Sequence, residues 1–77
     1  MNFNLEYTDR TIILTVTGIT AAEQNKLTKI ELDLNSAWGN PDFAEIKDGR
    51  TRITRENAND DHYEDARQIL KFYGVEV

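Results

Sequence analysis

The sequence predicts an α+β fold in which two antiparallel β-hairpins form one sheet and two α-helices pack on one of its faces, in the order ββαββα. Three observations carry that expectation. A two-residue turn at Asp9 and Arg10 sets Tyr7 opposite Ile12, Leu5 opposite Leu14 and Phe3 opposite Val16. These pairs are all apolar, and a slip of one residue would turn each set to the other face, so the pattern selects its own register. Asp48 and Gly49 lie between two strand-like runs, a short-range hairpin signal because glycine tolerates positive φ. Two segments carry apolar residues at helical spacing.

Taken in order, Gly18 and Ile19 lead from the first hairpin into Thr20, Ala21, Ala22 and Glu23, a Thr-x-x-Glu capping-box pattern that predicts a helix starting at Ala21. At about 100° per residue, Leu27, Ile30, Leu34 and Trp38 form one stripe, and Gly39, Asn40 and Pro41 stop it. Residues 30–34 also alternate with period two and so read as a strand. The capping pattern and the good helix formers before them favour a helix, with Leu32 left on its polar side. In the second hairpin, Phe43–Lys47 and Arg50–Thr54 flank the turn, with Ala44 facing Ile53, Ile46 facing Thr51 and Glu45 facing Arg52. A turn-rich stretch follows from Arg55 to His62. Asn59, Asp60 or Asp61 caps the second helix there, Asp61 with Glu64 fitting best. Ala66, Ile69, Leu70 and Tyr73 give that helix its stripe, and Gly74 stands where a left-handed cap ends it. Val75, Glu76 and Val77 alternate as a short last strand would. The expected core is Phe3, Leu5, Ile12, Leu14, Val16, Leu27, Ile30, Leu34, Ile46, Ile53, Ile69, Leu70 and Tyr73.

With 77 residues the chain is expected to be a single domain, 1–77. A domain of that size buries only about 60% of the surface of its unfolded chain, which leaves little room for a deep enclosed cavity. Cysteine is absent, so disulfides, a thiolate nucleophile and zinc–thiolate sites are excluded, and a reducing cytoplasm suits the chain. No apolar run approaches the roughly 18 residues of a membrane span, and no export signal is read at the start.

Fourteen acids against nine bases give a net charge of −5, and their distribution is uneven. Lys47, Arg50, Arg52 and Arg55 are followed at once by Glu56, Asp60, Asp61, Glu64 and Asp65. Acids at a helix start complement its dipole, and the sharper reading makes them a recognition face. Nucleic-acid binding through the basic hairpin 47–55 is disfavoured, because Glu45, Asp48 and the acidic run lie within a Debye length of about 10 Å.

For chemistry, His62 stands alone among Asp60, Asp61 and Asp65. Metal sites take three or four converging ligands, and Asp61, His62 and Asp65 on one exposed turn supply only part of such a set. Paired carboxylates need burial to separate their pKa values, which a solvated helix start does not provide. Ser36 is the only serine and lies in no Gly-x-Ser-x-Gly elbow, and the four glycines are dispersed. The sequence therefore predicts no catalytic, metal or cofactor site.

What remains is a non-enzymatic module that binds another protein or itself. Its candidate apolar contacts are Ile13, behind the sheet, Leu32, Trp38 and Phe72, and its candidate polar contacts are the five acids. The alternatives are an acidic inhibitor imitating nucleic acid toward a DNA- or RNA-binding enzyme, and a weak nucleic-acid binder using Lys47, Arg50, Arg52 and Arg55.

Overall fold

A computed structural model describes residues 1–77. Strands β1 (Asn2–Thr8) and β2 (Thr11–Thr17) form the first hairpin. A 3-10 turn (Ala21–Glu23) leads into helix α1 (Gln24–Trp38), followed by β3 (Asp42–Phe43), β4 (Thr51–Arg55) and helix α2 (Asp60–Phe72). The sheet order is β1-β2-β4-β3 with every pair antiparallel, and both helices cover the same face, as the α+β expectation required.

The first hairpin has the expected register, Phe3 opposite Val16, Leu5 opposite Leu14 and Tyr7 opposite Ile12. Asp9 and Arg10 both take positive φ, 49° and 62°, the backbone of a tight primed turn whose twist matches that of the strands. Alternation then sends Ile12, Leu14 and Val16 into a cluster with Ile53 of β4, Leu27, Ile30, Leu34 and Trp38 of α1, and Ala66 and Leu70 of α2. Burying such side chains stabilises a fold by about 1.5–3 kcal/mol each.

Residues 30–34 are helical, and the stripe Leu27, Ile30, Leu34, Trp38 is buried throughout. The start of α1 differs from the capping-box expectation. Thr20 bonds the Glu23 carboxylate through its hydroxyl at 3.0 Å instead of a backbone N–H, so the chain enters through a 3-10 turn and the α-helix begins at Gln24.

Three further corrections concern the second half. Phe43, not Ala44, stands opposite Ile53, while Lys47 still meets Arg50. The segment between them therefore holds one residue more than its partner strand. The Thr51 hydroxyl donates to the Ala44 carbonyl there, and Ile46 is turned out to 41% exposure instead of joining the core. The extra residue acts as a β-bulge does: it lets Phe43 pair with Ile53 while the Asp48–Gly49 turn keeps Lys47 opposite Arg50, and the local break in alternation turns Ile46 outward.

The cap of α2 is Asn59, not Asp61. Its side chain accepts from the His62 N–H at 3.0 Å, and its own N–H donates to His62 Nδ1 at 3.1 Å, a capping box closed by histidine. Val75–Val77 do not join the sheet. Gly74, at φ 80°, lets the Val75 N–H reach back to the Leu70 carbonyl at 2.8 Å and the Gly74 N–H to Lys71 at 2.9 Å, which commits Val75 to the helix terminus.

Candidate interaction surfaces

The helix-free face of the sheet is set by alternation. One row across it reads Asp42, Thr54, Ile13, Glu6, and the next reads Arg52, Thr15, Asn4. Ile13 does lie behind the sheet, but its neighbours are a carboxylate, threonines and an asparagine. Phe43 belongs to the opposite face, in the row Phe43, Ile53, Leu14, Leu5, and Val75 packs on the core. No apolar patch forms around Ile13.

Trp38, expected as a surface anchor, is 1% exposed. It belongs to the α1 stripe, and its Nε1–H donates to the His62 carbonyl at 2.8 Å, joining the end of α1 to the start of α2. Leu32 and Phe72 are exposed as expected, at 63% and 82%. They occupy different surfaces, however. Asp33, one residue after Leu32, accepts from the Tyr73 hydroxyl at 2.6 Å and so marks the α2 side of α1. Leu32 turns the other way and lines a groove of about 360 Å³ with Thr28, Glu31, Asn35, Asn40, Pro41 and Phe43, against the β3 edge. Sequence reasoning missed this groove because it placed Phe43 one register position away.

The basic hairpin does not present four cations together. Lys47, Arg50 and Arg52 surround a depression at the hairpin end together with Glu45 and Asp48. Arg55 pairs with Ile12 and shares its core-facing side. There the guanidinium is half-buried, with Nη1 bonded to the Glu56 carbonyl and Nε enclosed without a partner.

Glu56, Asp60, Asp61, Glu64 and Asp65 are all exposed, and among them Glu64 alone makes an ion pair, with Arg67 at 3.5 Å. At helical spacing Asp61 and Asp65 share a stripe of α2 with Phe72, while Arg67 and Lys71 lie on the next stripe round. Asp60 sits beside the Tyr7 phenol, whose pKa is raised by burial first and then by that carboxylate. Tyr7 in turn stacks on Tyr63, with ring centroids 5.4 Å apart. His62 uses Nδ1 and its N–H in the Asn59 box and its carbonyl to receive Trp38, and Asp61, His62 and Asp65 do not converge into a metal-holding group.

No helix is long and apolar enough to cross a membrane. No family model, no curated protein and no solved structure matches this chain.

Proposed function

We propose that this protein is a small non-enzymatic interaction module of the cytoplasm, binding another protein through the outer face of α2. The observation that carries the reading is Phe72, 82% exposed and in line with Asp61 and Asp65. An exposed aromatic ring is the residue type that supplies binding energy once buried in a partner pocket, and unpaired carboxylates on the same stripe, about two and three turns toward the start of the helix, steer a basic partner into register. Imitation of nucleic acid draws on the same five acids. Those of α2 end at Asp65, about 9 Å along the helix axis, where Arg67 and Lys71 take over, and that short extent favours a protein partner over a nucleic-acid-binding cleft.

The test is capture of partners from the native cell on immobilised protein, comparing wild type with Phe72→Ala and with Asp61→Asn/Asp65→Asn. Loss of the same partner in both variants, with a salt-sensitive association rate in wild type, is the expected result. Partners retained by both variants would overturn the reading.

A further inference from the structure

The groove on the other flank of α1 has the features of a strand-addition site. Its wall is the sheet edge. The Ala44 N–H donates to the Arg52 carbonyl at 2.9 Å, which makes Phe43 and Ile53 a non-hydrogen-bonded pair. In antiparallel geometry the Phe43 N–H and C=O then point out of the sheet, away from β4. Above that edge the Phe43 ring, Pro41 and Leu32 form an apolar surface, and Phe43 and Leu32 are 40% and 63% exposed.

The polar groups of the groove indicate what would fill it. Glu31 is its one carboxylate, half-buried and without an ion-pair partner, and no cation is among the lining residues. The amides of Asn35 and Asn40 flank it and make no hydrogen bond within the chain. Burial raises the Glu31 carboxyl above the ordinary carboxylate range, as expected for an acid lacking its counter-charge.

We infer that this groove binds an extended segment of a partner protein, with apolar and basic residues two positions apart and so on its groove-facing side, as a strand added to the β3 edge beside Phe43, with a Lys or Arg side chain on Glu31. The inference rests on the reading of the protein as a binding module but uses a surface separate from α2. Main-chain bonding along a two-residue edge is short, so the side chains seated against Leu32, Phe43 and Glu31 supply the selectivity. A second copy of this chain fits less well, because edge-to-edge pairing would bring another Glu31 and no cation.

The experiment titrates ¹⁵N-labelled protein with the acetylated, amidated hexapeptide Val-Thr-Lys-Thr-Val-Thr, which carries valine and lysine on one face, and with its counterpart in which glutamate replaces lysine. The lysine peptide is expected to shift the amides of Phe43, Glu31, Leu32 and Asn35, and the glutamate peptide to leave them in place. Glu31→Gln should weaken binding about tenfold, the loss of one charge-assisted contact. Phe43→Pro, tolerable at an edge position whose N–H faces solvent, should abolish binding, while Phe43→Leu keeps it. Circular dichroism confirms that each variant is folded. Equal binding of both peptides, shifts confined to α2, unchanged affinity in Phe43→Pro, or a dimer that Phe43→Pro dissociates would each overturn the inference. Phe72→Ala leaves peptide binding intact, so failure here with Phe72-dependent capture preserved removes this site and not the α2 reading.

Discussion

Trp38 and His62 hold the two helices together at one point: the indole Nε1–H reaches the His62 carbonyl at 2.8 Å, on the residue whose ring closes the α2 capping box. The helix end of one element therefore bears on the helix start of the other. Trp38→Phe loses that bond and part of a fully buried side chain, for an expected destabilisation of about 1–3 kcal/mol. Thermal melts report it. An unchanged melting temperature would show that neither the Nε1–H bond nor the extra ring of the indole contributes to stability.

The capping box itself separates two roles for His62. His62→Gln keeps a side-chain acceptor at the position where glutamine is a usual capping-box residue, and should leave stability nearly unchanged. Loss of the Asn59 side-chain acceptor in Asn59→Ala should cost about 0.5–2 kcal/mol. A His62→Gln variant as unstable as Asn59→Ala would mean that the imidazole is needed for something beyond accepting the Asn59 N–H.

Core and turn positions show how far the sequence could be read. The first hairpin was legible because three apolar pairs agree on one register, and the helices because Leu27, Ile30, Leu34, Trp38 and Ala66, Leu70 repeat at helical spacing. The second hairpin was half legible: its Asp-Gly turn is in place, but the pairing of Phe43 with Ile53 depends on one extra residue before Lys47, and strict alternation from the turn has no place for such an irregularity. Trp38 was misread for the related reason that stripe and surface anchor look alike until a partner helix is placed. His62 escaped as a cap because histidine seldom fills that role. The groove by Glu31 needs two elements distant in sequence, and so had no local signature.

Leu14 and Ile46 make that contrast measurable. Leu14 is fully buried, and Leu14→Ala should cost about 2–5 kcal/mol through lost contacts and the cavity left behind, enough to unfold much of so small a domain. Ile46, 41% exposed beside the irregular segment, should tolerate alanine with a change of about 0.5 kcal/mol. Denaturant titration of both decides. A large loss at Ile46 would restore the register in which it faces Thr51 and the core.

Two glutamates should pull acid stability in opposite directions. The Thr20 hydroxyl bond, followed by the nearby amino group of Met1, lowers the Glu23 carboxyl below the usual range. An acid depressed in the folded state stabilises above its unfolded value, about 4.3, and loses that contribution as pH falls through the lower folded value. Burial raises Glu31, so the unfolded chain ionises first and the folded state loses stability as pH climbs past about 4.3. Thr20→Val should therefore shrink the acid-induced loss, and Glu31→Gln should raise the melting temperature at pH 7 but not at pH 3. Carboxyl NMR titration of Glu23 in Thr20→Val, showing no upward movement, would reject the first assignment.

Ile13 tests the open face of the sheet. It stands in the row between Glu6 and Thr54, with Thr15 next along the strand and no large apolar residue beside it. An isolated half-exposed isoleucine on a threonine-rich face is ordinary surface, and it contributes mainly its preference for extended backbone. Ile13→Lys should then cost less than about 1 kcal/mol and leave the sedimentation behaviour as it was, because the patch needed for self-association through this face is missing. Lysine there also meets Glu6 across the strand pair, which offsets part of the loss. A wild-type dimer that the substitution dissociates would overturn this, and would mean that two polar sheet faces join through threonine hydroxyls and the single Ile13 side chain from each copy.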